Sequence, residues 1–161
     1  MMSVRVRSFY VVGLATISLA CVGTVDISRH RSTMQILERV GEALGEHRIK
    51  NGTYPRSGEV ELSRILPELA TGGREEIKSR DAWGTPLKYM SSGDSYVVWS
   101  YGANREPDIR SEGGPVPEFD IDIVYCDGHF WQYFEGFGNL ARGKRDNPFV
   151  TIGTSLAALK E

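Results

Sequence analysis

The chain has 161 residues, a length that fits one domain, and its 40% hydrophobic and 25% charged residues are typical of a folded globular protein. Lys and Arg total 19 against 21 Asp and Glu, which gives a formal net charge of -2. This charge argues against a nucleic-acid-binding protein, because that class carries an excess of basic residues. Two cysteines are too few for a disulfide framework or a four-cysteine zinc site.

The N-terminal region contains a long apolar run. Residues 8–25 carry no charge and span about 27 Å as a helix, close to the roughly 30 Å hydrocarbon core of a bilayer. We therefore predict that residues 1–27 form an uncleaved signal anchor. A cleaved signal peptide and a lipoprotein signal are the alternatives. The lipoprotein signal is considered because Ser18-Leu19-Ala20-Cys21 is similar to a lipoprotein cleavage box, in which Cys21 would carry the lipid.

An amphipathic helix is predicted after the apolar run. Apolar residues recur there at steps of three and four, which is the spacing of one helix face, at Met34, Leu37, Val40 and Leu44. We expect this helix to continue the anchor and to pack that face on a sheet. The pair Asn51-Gly52 predicts its end, because both residues tolerate a positive φ.

Two short segments follow. Residues 59–69 combine five apolar side chains with Pro67 and predict a second helix, or two short turns. Residues 71–80 are polar and contain glycine, which predicts a surface connection.

Two hairpins are predicted in the second half of the chain. Residues 87–90 and 96–101 are β-type runs joined by a loop of about five residues. Residues 121–125 and 130–133 form the second pair, around the favoured tight-turn residues Asp127-Gly128. Each hairpin should pair as an antiparallel ladder.

The fold class follows from this order of elements. No βαβ alternation is visible, so we predict an α+β fold in which one long helix, half anchor and half amphipathic, packs on a small antiparallel sheet of two hairpins, about four strands. Residues 28–136 would form the globular domain, and residues 137–161 a tail with a possible last helix at 150–159. Residues 102–119, rich in glycine and proline, predict an irregular loop that a function or a ligand orders.

Two aspartates stand at the exit of that loop. Asp120 and Asp122 lie two residues apart, so on a strand both carboxylates would leave the same face, about 6.5–7 Å apart. Like charges at this distance are costly unless water or a cation neutralises them. The pair is therefore either a solvated surface feature or part of a calcium site that also uses carbonyl and amide oxygens.

Four sequence blocks follow one another along residues 32–134. They are Asn51-Gly52-Thr53-Tyr54-Pro55, Asp81-Ala82-Trp83-Gly84-Thr85-Pro86-Leu87-Lys88-Tyr89, Ser100-Tyr101-Gly102-Ala103-Asn104 and Asp120-Ile121-Asp122-Ile123. In this order they resemble the type II secretion system protein G family, the major pseudopilins. The resemblance implies a non-enzymatic structural or assembly protein that is anchored in the inner membrane with a periplasmic or other extracytoplasmic domain. Its partners would be the membrane, subunits of the same kind and other secretion-system components. Nucleic acid would not be among them.

The resemblance also implies a calcium ion in the long loop. By position, Asp120 and Asp122 match the two aspartates of the family, and Tyr101 would offer a backbone carbonyl. Asn104 stands where the family often has Asp. Because its amide oxygen can ligate but brings no charge, calcium affinity should fall unless Asp108, in the enlarged loop, substitutes.

The N-terminal region departs from the family. No Gly-Phe precedes the apolar run and no acidic residue lies within it, although the family carries both for processing and assembly. The alternative function is therefore an exported lipoprotein or membrane-anchored binding module that reuses the fold without assembling a pseudopilus.

A third hypothesis is a small hydrolase that uses Asp120 and Asp122. It needs a nearby base, and only His129 qualifies. His30, His47 and His129 lack the spacing of a histidine metal centre, and no nucleophile elbow, phosphate loop or dinucleotide motif occurs. We therefore expect no enzymatic activity.

Overall fold

The structure, a computed structural model, describes residues 11–69, 76–140, 148, 149 and 152, with the backbone alone at 11–25 and 138–140. The beginning of the predicted anchor, residues 1–10, lies outside the described residues. So do half of the predicted connection at 71–80 and most of the predicted tail helix at 150–159.

The first element is a helix of 41 residues, α1, Val11–Asn51. It ends where the sequence predicts: Gly52 has a φ of 83°, and its N–H donates to the carbonyl of Arg48 at 2.7 Å. Cys21, the candidate lipidation site, lies within α1. In the described part of the chain, no helix combines the length and the apolar character that membrane crossing demands.

The predicted apolar face of α1 packs on the sheet. Leu37, Val40 and Leu44 are fully buried, and Met34 is 2% exposed. The helix approaches the sheet closely at Gly41, where an added Cβ would collide with the ring of Tyr125. These positions confirm the 3.6-residue period of the sequence.

The predicted helix at 59–69 is wrong in its first part. Residues Ser57–Glu61 form strand β1, and a 3-10 helix, Leu62–Arg64, and a four-residue helix α2, Leu66–Leu69, follow. The strand forms because β2, Lys88–Ser91, pairs with it antiparallel. Helical spacing of apolar residues cannot reveal such a pairing, since the partner is distant in sequence.

The sheet has six strands in the described residues, in the order β1-β2-β3-β5-β6-β4. The other strands are β3, Tyr96–Ser100, β4, Gly114–Val116, β5, Ile123–Cys126, and β6, His129–Phe134. Both predicted hairpins are present as β2–β3 and β5–β6, and β3 joins them by pairing antiparallel with β5. The fold is therefore α+β, as predicted.

The predicted antiparallel sheet of about four strands is wrong in two respects: the described residues form six strands, and the sheet is mixed. Besides β1, it gains β4, which lies inside the stretch 102–119 predicted as an irregular loop and pairs parallel with β6. Gly114 and Pro115 carry little β-propensity, and the single β-former Val116 is too short a local signal to mark this strand. β4 forms because β6 offers it a backbone partner.

Each face of the sheet carries its own apolar cluster. The larger cluster lies under α1 and includes the four predicted helix residues together with Leu87, Tyr89 and Ile123. The second lies on β3, β5 and β6 and includes Trp99, Trp131 and Ile152. Ring centroids of Phe149 and Trp99 are 5.0 Å apart, so the described residues of the tail cover this second face.

Candidate functional site

The loop between β3 and β5, residues 101–122, brings two aspartates together. The N–H of Asp122 donates to Asp108 Oδ1 at 2.6 Å, and the N–H of Asp108 donates to Asp122 Oδ2 at 3.3 Å. Each carboxylate therefore accepts a hydrogen bond from the backbone amide of the other residue. The exchange closes the loop on the start of β5 and leaves the two carboxyl groups adjacent.

Asp122 is fully buried, and no donor of the described residues reaches its Oδ1. Burial is the main cause that raises the pKa of Asp122 to about 8. The neighbouring carboxyl of Asp108 raises this pKa further, while the backbone N–H of Asp108 lowers it. A buried carboxylate oxygen without a donor is costly, so the pair suits a shared proton or a bound cation.

The predicted pairing of Asp120 with Asp122 on one face is wrong. Asp120 is exposed and Asp122 is buried, because β5 begins only at Ile123 and the alternation of faces applies only within a strand. Asp120 contributes through its backbone carbonyl, which accepts the N–H of Asn104 at 3.4 Å. Asp108, expected only as a substitute, is the residue that meets Asp122.

The other two predicted ligands also lie on this loop. Asn104 Nδ2 donates to Asp108 Oδ2 at 2.9 Å, and Asn104 Oδ1 accepts the N–H of Glu106 at 2.9 Å. The carbonyl of Tyr101 accepts the N–H of Arg105 at 3.1 Å. Asn104 Oδ1 and the carbonyl oxygen of Tyr101 are therefore both hydrogen-bonded within the loop. The side chain of Asn104 also hydrogen-bonds to Asp108, one of the paired aspartates.

The donor set of this loop fits calcium better than a transition metal. Across the described ranges, no three side chains of His, Cys, Asp and Glu converge as a metal site. A hard cation does not need such a cluster, because calcium accepts carboxylate, amide, carbonyl and water oxygens together. The two carboxyl groups would supply the charge for such a cation, and Asp122 Oδ1, which no hydrogen bond occupies among the described residues, would supply a ligand atom.

No family model, curated protein or solved structure matches this chain. The resemblance of the four sequence blocks therefore stays a prediction. A fold alone does not fix a function, so the functional inference depends on the paired aspartates and on the residues that hold their loop.

A glycine holds the beginning of the loop. Gly102 has a φ of 61°, a conformation that favours glycine, and its N–H donates to Ser100 Oγ at 3.0 Å. An added Cβ would collide with the backbone carbonyls of Asp120 and Ile121. This close approach brings the two ends of the loop together.

Gln132, on β6, belongs to the candidate site, although the sequence did not indicate it. It is fully buried, and its side chain hydrogen-bonds to the backbone on both sides of the aspartate pair. The available signal is a single amide within the aromatic run Phe130-Trp131-Gln132-Tyr133. A buried polar group in such a strand requires partners, which only the fold identifies.

The histidine required by the hydrolase hypothesis lies elsewhere. His129 begins β6 opposite Cys126, and its Nε2 is 3.4 Å from Cys126 Sγ. Asp122 precedes the other end of β5, about 13 Å away at the usual rise of a strand. His129 therefore does not reach the aspartates, and the hydrolase hypothesis loses the base that it needs.

Proposed function

We propose that this chain is a non-enzymatic structural or assembly protein, similar to the major pseudopilin of type II secretion, with a calcium ion bound in loop 101–122. One observation carries the proposal: Asp122 Oδ1 is buried next to the carboxyl of Asp108, and no donor of the described residues reaches it. The two adjacent carboxyl groups repel each other when both are ionised, and a divalent cation would remove this repulsion. The four sequence blocks support the pseudopilin part.

The role of the site would be to order the loop. Asp108 and Asp122 lie 14 residues apart, so a ligand shared by both ties the middle of the loop to the beginning of β5. A glycine- and proline-rich segment buries little apolar surface and needs another source of order. When bound, calcium supplies a doubly charged centre that stabilises the folded state by mass action.

The N-terminal part of the proposal depends on the sequence. The uncharged run at 8–25 would anchor the chain in the inner membrane, with its globular domain periplasmic or otherwise extracytoplasmic. The partners would then be the membrane, like subunits or other secretion-system components. The balanced charge of the chain offers no footprint for nucleic acid.

A second function is an exported lipoprotein or membrane-anchored binding module with the same fold. Cys21 favours it, because the residue stands in a sequence similar to a lipoprotein cleavage box. The absence of an acidic residue within 8–25 also favours it. A lipid attached to Cys21 would distinguish this function from the assembly protein.

A calcium titration of the full chain tests the loop. After thorough chelation, adding calcium should raise the melting temperature, by an amount equivalent to about 2.7 kcal/mol when free calcium reaches one hundred times the dissociation constant. Magnesium should substitute poorly, because it demands a tighter octahedral shell. An unchanged melting temperature would exclude the site.

Variants of the loop sharpen this experiment. Asp108→Ala and Asp122→Ala should abolish the calcium-dependent rise, because each removes one of the paired carboxylates. Asp120→Ala is the matched control, since it removes an exposed carboxylate of the same loop and should leave most of the rise. Asn104→Asp should strengthen the response by adding charge beside Asp108.

A further inference from the structure

The carboxamide of Gln132 bridges the two segments that carry the paired aspartates. Its Oε1 accepts the N–H of Arg110 at 2.7 Å. Its Nε2 donates to the carbonyl of Asp122 at 3.1 Å and, more weakly, to the carbonyl of Asp108 at 3.4 Å. One buried side chain therefore holds residues 108–110 against residue 122.

The position of Gln132 on the sheet explains why it can do this. In the strand ladders it stands between Val124 of β5 and Gly114 of β4. The loop leaves β3, passes through Asp108, forms β4 and ends at β5. Strand β6, which carries Gln132, lies between β4 and β5 in the sheet. Gln132 itself is fully buried, which fixes its side chain in one place.

The bonds of Gln132 leave the carboxylates of the pair available. Its Nε2 donates to the backbone carbonyls of Asp108 and Asp122. The carboxylate of each aspartate accepts the backbone N–H of the other aspartate. Asp122 Oδ1 has no donor among the described residues. The side chain thus contacts the backbone of both aspartates without competing for their carboxylates.

We propose that Gln132 is the positioning residue of loop 101–122, and that the calcium affinity of this loop depends on the bridge that Gln132 makes between Arg110 and Asp122. The inference rests on the proposed calcium site. Residues that orient metal ligands through hydrogen bonds typically change metal affinity by about 10–100-fold when they are removed. Gln132 should act in this range, although it contacts no ligand atom of the ion.

The first test is Gln132→Met in the full chain. Methionine has a similar length but neither donates to the Asp122 carbonyl nor accepts the Arg110 N–H. Calorimetric titration of the chelated protein with calcium should give a dissociation constant about 10–100-fold higher than that of the unmutated chain. Ser91→Ala, which removes another buried polar side chain of the sheet, is the control and should leave the constant unchanged.

A second variant breaks the same bridge from the surface, in case Gln132→Met does not fold. Arg110 is exposed, and Arg110→Pro removes the N–H that Gln132 accepts. Arg110→Ala keeps this N–H but removes the same side-chain ion pair with Glu118. The proline variant should therefore weaken calcium binding, whereas the alanine variant should bind like the unmutated chain.

The outcomes separate this inference from the function on which it rests. Absence of calcium binding by the unmutated chain would overturn the proposed site and the positioning role with it. The positioning role alone would be overturned if the unmutated chain binds calcium and both Gln132→Met and Arg110→Pro bind it with the same dissociation constant as the unmutated chain. A loss of melting temperature that is the same with and without calcium, at an unchanged dissociation constant, would also overturn it, because Gln132 would then serve stability only.

Discussion

The carboxylate of Asp81 accepts a hydrogen bond of 2.6 Å from the hydroxyl of Ser100, the last residue of β3. The other oxygen of Asp81 accepts the N–H groups of Trp83 and Thr85 at 2.9 and 2.8 Å. Ser100 Oγ also accepts the N–H of Gly102, the second residue of loop 101–122. One buried carboxylate therefore shapes the turn at 81–86 and connects it to the loop entrance.

Asp81→Ala should lower the free energy of unfolding by about 2–4 kcal/mol, because it leaves the hydrogen-bond donors of the turn and of Ser100 without their buried acceptor. Urea denaturation measures this change. A double-mutant cycle with Ser100→Ala should give a coupling of about 0.5 kcal/mol or more. A cost no larger than that of Asp94→Ala, on the exposed β2–β3 turn, would contradict the role of Asp81.

The two glycines of the amphipathic half of α1 should respond to alanine with opposite signs. At Gly45 an added Cβ meets nothing within 4 Å, so Gly45→Ala should stabilise the fold by about 0.5–1 kcal/mol through helix propensity. At Gly41 the Cβ would collide with the ring of Tyr125 and lie 2.9 Å from the hydroxyl of Tyr96. Gly41→Ala should therefore destabilise the fold by about 1–3 kcal/mol, despite the same gain in propensity.

Thermal or urea melts of both glycine variants measure the difference. Each serves as the control for the other, because both change the same residue type in one helix. Stabilisation by Gly41→Ala equal to that by Gly45→Ala would mean that α1 stands further from β5 than described.

His30 joins α1 to β6 inside the core. Its side chain is fully buried, its Nε2 accepts the N–H of Phe134 at 3.3 Å, and its ring stacks on Phe137 with centroids 5.4 Å apart. Burial lowers the pKa of His30 from 6.5 to about 4, and the backbone of Phe119 partly offsets this shift. The neutral ring is therefore the form that the fold requires.

The lowered pKa of His30 predicts a loss of stability in acid. Between about pH 6.5 and 4 the unfolded chain binds more protons at this site than the folded chain, so the free energy of unfolding falls as the pH falls. The contribution is complete above 6.5, and its loss should reach about 3 kcal/mol near pH 4.

Urea melts at several pH values measure the acid dependence. Carboxylates titrate in the same window, so the comparison is with His30→Leu, which is less stable throughout because the N–H of Phe134 loses its acceptor. The stability of this variant should depend less steeply on pH between 6.5 and 4. Equal slopes for both chains would show that His30 does not contribute to the loss.

The sequence by itself determined the elements whose signals are local. The spacing of Met34, Leu37, Val40 and Leu44 identified the buried face of α1, and Asn51-Gly52 identified its end. Two β-type runs joined by a loop of about five residues identified the first hairpin, and two such runs around Asp127-Gly128 identified the second. These patterns are reliable because residues a few positions apart determine the helix period, the strand period and the turn.

Only the tertiary structure decided the edge strands and the composition of the site. β1 and β4 lie at the two edges of the sheet and exist because β2 and β6 offer backbone partners from elsewhere in the chain. Asp108 replaced Asp120 as the partner of Asp122, because the backbone turns before β5 and exposes one aspartate while it buries the other. Gln132 holds that arrangement from a third segment, and a contact between three distant segments leaves no pattern in the local sequence.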